Sequence, residues 1–205
     1  MRRVVAALSA LLLLLGACTT STVGTASPSS SSSSSAVTSA PDEGLPGPGV
    51  PKVETPIDIG RFKQAPCDSL TPSQVSELLG TGVTPKAELN APGGPSCSFH
   101  PPQVTQAAVL VIFNNVDDRG LTGVYQAQYS FFLPLKPVDG YPVAAYGLTD
   151  ERTSRGGCQI AVGTSDKQTV DIGVTQSEEN IGHKDPCEAA RGVASYVLSN
   201  LRGVK

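Results

Sequence analysis

An α+β domain, in which an antiparallel sheet is packed by two or three helices and held by two disulfides, is the fold this 205-residue sequence predicts. Three observations lead there. Both ends of the region after residue 56 carry a Pro-Cys pair followed by a well-punctuated helical segment. Between them lie short β-branched segments separated by turn residues, the expected order being α-β-β-α-β-β-β-α. Four cysteines fall in the same region, an even number that in an oxidising compartment reads as two bridges.

Each element has a local reason. In "PCDSLTPSQVSELLG", Thr71 stands as N-cap, Pro72 takes the first helical position, where no N–H is needed, and Gln74 completes a capping box. Leu70 and Val75 form the hydrophobic staple, Val75, Leu78 and Leu79 share one face, and Gly80 stops the helix. "CSFH" is a short strand ending at Pro101-Pro102, and "AAVLVIFNN" is an apolar run long enough for a buried central strand. Val124, Tyr125 and Gln128 to Phe132 fit a short helix capped by Thr122, which Pro134 and Pro137 forbid from continuing. "YPVAAYGLTD", "GCQIAVGTS" and "QTVDIGVTQ" are three strands, the last two joined by a polar loop, "TSDKQ", that suits antiparallel pairing. In "DPCEAARGVASYVLSNLRG", Asp185 caps, Pro186 comes first and Glu188 completes a box. Ala190, Val193, Ala194, Val197, Leu198 and Leu201 line one face of this helix, and Arg202 and Gly203 finish it.

Four cysteines allow three connectivities, and the spacings favour Cys67–Cys97 and Cys158–Cys187. Closing loops of this size stabilises by roughly 3.6 kcal/mol each on the chain-entropy view. Each bridge is expected to pin the first turn of a terminal helix to a neighbouring strand. Zinc is the rival use of the thiols, but CxxC is absent and only His100 and His183 are present, so no metal is expected.

The chain begins with Arg2 and Arg3, an apolar segment from Val4 to Leu15, and small Gly16-Ala17 before Cys18. That is the plan of a signal peptide over residues 1–17, too short to span a membrane comfortably. Leu15-Gly16-Ala17-Cys18 resembles the bacterial lipobox, in which the cysteine sulfur takes a diacylglyceryl group and becomes the first mature residue. Cys18 is therefore the expected lipidation site, palmitate-type acyl chains holding the protein to the outer face of a membrane. Each buried methylene contributes about 0.8 kcal/mol, so two or three chains hold firmly where one does not. Residues 18–56, with a seven-serine run and a Pro/Gly-rich second half, cannot bury enough apolar surface to order themselves. They are expected to form a disordered tether reaching on the order of 35 Å, either a plain spacer, an O-glycosylated stalk or a passage through a wall layer. A single extracytoplasmic domain, residues 57–205, follows.

Removing the signal peptide leaves 13 basic and 18 acidic side chains, a net charge of −5. A mildly acidic surface argues against nucleic acid and against adhesion to anionic lipid heads. Tryptophan is absent, so no sugar-stacking platform is advertised. The searches for catalysis fail. There is no G-x-S-x-G, and "GTSDKQ" reads as a turn. His183 and Asp185 flank a helix start where Asp185 already caps, and adjacent Glu178 and Glu179 point oppositely in an extended chain. The glycines of "GGPS" and "RGG" lack the order of a phosphate loop and read as turns.

The chain resembles a family of actinobacterial cell-envelope lipoproteins catalogued as domain of unknown function 3558, which includes mycobacterial Lpr-type lipoproteins. The resemblance is carried by the lipobox, the low-complexity tether, "APCDSLTPSQVSELLG", Cys97, "VDGYPVAAYG", "GGCQIAV" and "DPCEAARGVASYVLSNL". Family members often place an aromatic directly after the second domain cysteine, whereas here Phe99 stands one position later. The resemblance implies a surface-anchored α+β domain and supplies no activity.

Two classes of function follow. The first is a non-enzymatic module that needs no cofactor and binds a small apolar or peptide ligand or docks on an envelope protein. The second is an envelope hydrolase with an unrecognised site. For the first, the expected face is the side of the sheet left bare by helices, or a strip through "YSFFLPLKPVDGYP" where Tyr129, Phe131, Phe132, Leu133, Leu135 and Tyr141 concentrate apolar surface. The ordinary alternative for that strip is core packing plus a loop.

Overall fold

The structure, a computed structural model, describes residues 44–203. Seven strands, β1 (Thr84–Glu88), β2 (Ser96–His100), β3 (Ala108–Phe113), β4 (Phe131–Val138), β5 (Tyr141–Gly147), β6 (Gly157–Ser165) and β7 (Gln168–Thr175), form one antiparallel sheet. Their order is β1-β2-β3-β7-β6-β5-β4. Four helices accompany them: α1 (Gly60–Gln64), α2 (Pro72–Leu79), α3 (Leu121–Gln126) and α4 (Pro186–Leu201).

Side chains alternate across a strand, so each strand has two faces. On the first face β6 presents Cys158, Ile160 and Val162, and β7 presents Val170, Ile172 and Val174, all in the main core. Opposite them stands α4, whose Ala190, Val193, Ala194, Val197 and Leu198 are buried. Small residues at 190 and 194 let the helix approach closely, and each fully buried valine or leucine contributes roughly 1.5–3 kcal/mol. Phe62 of α1 stacks on Phe113 of β3 at 5.9 Å, extending this core toward β2 and β3.

The caps follow the sequence closely at α2. Thr71 and Gln74 form both halves of the capping box, and Gly80 ends the helix with φ +81°. Leu70 and Val75 are both buried, as the staple requires. At α4 the Asp185 carboxylate accepts from the Cys187 N–H at 2.8 Å. Glu188, expected to complete a box there, instead pairs with Arg191 one turn on, at 2.7 Å.

Both bridges join the expected partners, with Cα separations of 5.0 Å for Cys67–Cys97 and 5.1 Å for Cys158–Cys187. The second pins the first turn of α4 to β6. The first differs from expectation: Pro66-Cys67 opens a separate 3-10 turn, Pro66–Ser69, and α2 begins only at Pro72.

Four expectations are corrected. The helix over 121–132 stops at Gln126, its N-cap is Gly120 rather than Thr122, and Thr122 is buried within it. Residues 131–138 continue as β4, because the prolines sit on an edge strand, where a missing donor leaves no ladder bond unmade. Helices do not keep to one face, since α3 packs on the second side of β5 and β6 with Val50, Tyr146 and Ala161. The tether ends before residue 56, because Val50 and Val53 are buried and the Val53 N–H donates to Asp166 at 2.9 Å. Residues 47–57 form a strap around the β6–β7 turn, held also by Gly47 N–H to the Thr122 hydroxyl at 3.0 Å and Ile57 N–H to the Thr164 carbonyl at 2.8 Å. The rest of the expected tether, the signal peptide and Cys18 lie outside the described residues.

Because the second bridge ties the first turn of α4 to β6, replacing Cys158 and Cys187 together by alanine is expected to lower stability by about 3 kcal/mol. Chemical denaturation of the two proteins measures this. Equal midpoints would show that packing alone holds α4 to the sheet.

Candidate functional site

The second face of the sheet holds a buried polar cluster. Asp171 lies in the middle of β7, between Ile112 of β3 and Ala161 of β6 in the register. It is 3% exposed. Its Oδ2 accepts from Asn114 Nδ2 and from the Tyr146 hydroxyl, both at 2.9 Å, while its Oδ1 is buried with no partner at hydrogen-bond distance. Burial pushes this carboxyl above its ordinary value, and the hydrogen bonds of Asn114, Tyr146 and Thr169 favour the charged form only in part. A carboxyl so placed stays only because donors surround it.

Tyr146, on β5, extends the network. Its hydroxyl is held far above the usual phenol value, first by burial and then by the neighbouring carboxyl, so it remains a donor to Asp171. Gln159 Nε2 donates to the Tyr146 oxygen from β6. The Tyr129 ring, on the connection after α3, lies 4.7 Å from the Tyr146 ring. Burial together with Asp171 and Asp117 raises its hydroxyl too. Four donors and acceptors from three strands and one loop thus surround one buried carboxyl.

Tyr146 stands in the wall of two clefts. The first, about 440 Å³, opens between the loop after β3 and α3, and is lined by Asn114, Asp117, Arg119, Gln126, Tyr129 and Thr169. Arg119 there donates to Gln126 Oε1. The second, about 500 Å³, lies across β3, β7, β6 and β5 at one end of the strands, with Leu110, Gln159, Gly173 and Thr175 in its floor and Glu151 and His100 at its margin. Both offer hydroxyl and amide hydrogen bonds beside apolar surface, the chemistry of holding a small molecule.

The strip foreseen over residues 129–141 does not form one surface. Phe131 and Tyr141 are buried in the main core and Leu135 packs against it, while Tyr129 and Phe132 belong to the second-face cluster with α3. Leu133 is 38% exposed. Strand alternation divides the strip, so most of it is packing; of the six, Tyr129 lines the first cleft and Phe131 the second. His183 is exposed in the loop before α4, and the Asp185 carboxylate is occupied in capping. His100 is exposed at the end of β2. Among the described residues no group of three or more His, Cys, Asp and Glu side chains is placed to hold a metal ion, and no helix is long and apolar enough to cross a membrane.

Fold and site together define a disulfide-fastened α+β domain with a polar centre on the second face of its sheet. The sequence profile of DUF3558, a family of proteins of unknown function, matches residues 13–200, and the chain belongs to that family. No curated protein and no solved structure matches it.

The folded state holds the Asp171 proton more tightly than the unfolded chain. Unfolding therefore releases it, and stability falls as pH rises from the ordinary value of 3.8 through the raised one. Asp171→Asn keeps the shape without the charge. Denaturation midpoints taken from acid to neutral pH are expected to fall for the wild type over that window and to lack this slope in the variant. Parallel curves would show that the carboxyl titrates alike in both states. Tyr146→Phe, which strips a donor from Asp171 and an acceptor from Gln159, is expected to cost about 1–3 kcal/mol at either pH.

Proposed function

We propose that this chain is an envelope lipoprotein of the actinobacterial Lpr type, anchored through lipid on Cys18 to the outer face of the membrane. Its domain binds a small molecule or peptide, or an envelope protein, on the second face of the sheet and does not transform it. The observation that carries the binding reading is the Tyr146–Asp171 centre, buried where two clefts meet. A fold gains little from an incompletely partnered carboxyl in mid-sheet, and buried polar groups of that kind gather at sites of recognition.

The anchoring reading rests on the sequence. The family match opens at residue 13, inside the apolar segment, and so takes in Leu15 to Cys18. A thioether-linked diacylglyceryl group with a further acyl chain gives stable attachment where a single chain holds only reversibly. The net charge of the exported part is negative, so the lipid rather than surface electrostatics would retain the protein.

Mass spectrometry of protein isolated from its native membrane tests both parts. The expected mature chain begins at Cys18 and carries acyl mass, Cys18→Ala moves the protein into the medium, and a co-purified ligand or partner is lost in Tyr146→Phe. An unmodified Cys18 or another mature start would overturn the anchor, and turnover of an envelope substrate would replace binding by hydrolysis.

A further inference from the structure

We infer that the cleft across β3, β7, β6 and β5 at one end of the strands is a binding site for a flat, uncharged or cationic heterocycle bearing an N–H on its edge. This deepens the binding reading above and rests on it. Two glycines lie in this cleft. Gly173 lies inside β7 and Gly157 opens β6, both on the second face, where Gly173 faces Leu110 and Gln159 across the register and Gly157 faces Thr175. Neither has the positive φ that only glycine adopts readily. A Cβ at Gly173 would meet Leu110 Cβ at 3.7 Å, and one at Gly157 would stand 3.4 Å from the Glu151 carboxylate, both ordinary contacts. Neither conformation nor crowding within the chain therefore calls for glycine, although glycine weakens a strand.

Gly163, on the same face of β6, makes the contrast. A Cβ there would come within 3.0 Å of Leu121 and 3.1 Å of Val53, so α3 and the strap account for it. Nothing in the chain plays that part over Gly173. A strand glycine with open space above it marks a place where something outside the chain approaches the backbone.

The walls restrict what that is. The cleft, about 500 Å³, suits a small molecule. Among the described residues no lysine or arginine lines it, and Glu151, which does, is paired with Arg155 at 3.4 Å, so the walls offer phosphate and other anions no free cation. The hydrogen-bond chain from Gln159 Nε2 to the Tyr146 hydroxyl to Asp171 orients the amide, because Oδ2 of Asp171 already accepts from Asn114 and Tyr146 must donate to it. Gln159 Oε1 is left as the acceptor of that amide, to be met by an N–H of the ligand. Gln159 and Thr175 bring side-chain donors to this floor, but the stretch over Leu110 and the bare backbone of Gly173 has none, and its peptide groups are engaged in the ladders with β3 and β6. A saturated sugar ring laid there would leave hydroxyls without partners, whereas a planar ring would not.

Saturation-transfer and amide-shift NMR on the full chain in detergent tests this with adenine, cytosine and indole as planar probes, glucose and arabinose as saturated ones, and inorganic phosphate. Planar probes are expected to shift the amides of Gly157, Gln159 and Gly173. Gly173→Val, with an unfolding temperature at or above the wild type, is expected to weaken them at least about tenfold. Gly173→Ala and Gly157→Ala, whose added methyls fit the fold, should weaken them in the same order of size. Unchanged affinity in all three variants, or no planar probe bound at millimolar concentration, overturns the inference. Sugars bound in a Gly173-dependent way overturn the heterocycle and leave the second-face reading standing. Shifts confined to residues away from that face overturn both.

Discussion

Everything in this domain depends on the strict alternation of β6 and β7. Three inward positions on each strand are occupied by Cys158, Ile160 and Val162 and by Val170, Ile172 and Val174, and together they form the floor on which α4 rests. A shift of one residue in either strand would carry Asp171 and Gln159 into that apolar layer and the valines to the other side. The register is held from several directions: the two-residue turn at Asp166-Lys167, the Cys158–Cys187 bridge at the far end, and the strap bonded to Thr164 and Asp166. Because the apolar set is fixed on one side, the polar set is fixed on the other. The network around Asp171 is the second consequence of one constraint.

The parts legible in the sequence were those with local causes. The capping box of α2, the turn that joins β6 to β7, the face of α4 and the pairing of the cysteines each follow from residues within a few positions of one another or from even spacing. The parts that were not legible sit at the margins of the sheet. β1 has all five residues exposed and includes Pro85, and β4 carries Pro134 and Pro137, so neither shows the apolar alternation by which a strand is recognised. Both are edges, where proline is tolerated and where it also discourages further chains from pairing. The strap escaped for a different reason. Val50 and Val53 are two apolar residues in a Pro/Gly-rich stretch, and their burial is decided by surfaces of α3 and β6 far away in sequence.

The candidate site was legible in one letter. "QTVDIGVTQ" places an aspartate in the centre of an apolar strand, where an unpaired charge would be costly, and in hindsight that residue asks for partners. The partners could not be named, because Asn114, Tyr146 and Gln159 come from three other segments and meet only through the order β3-β7-β6-β5. Composition pointed instead to the aromatic strip at 129–141, whose residues fall on opposite sides of the sheet. Density of apolar letters along a chain says little about a surface unless the period of the element is known.

The strap has a mechanical meaning. Any pull arriving along the chain from its N-terminal side reaches residues 47–57 before it reaches the sheet, and is taken up by three bonds to α3 and to the β6–β7 turn. Those bonds bridge both layers of the domain, so the load is shared between faces rather than peeling one strand from an edge. Cys67 lies further along the chain, behind this clasp, and Cys158 and Cys187 further still. A pull from that side therefore meets hydrogen bonds before it meets either covalent lock.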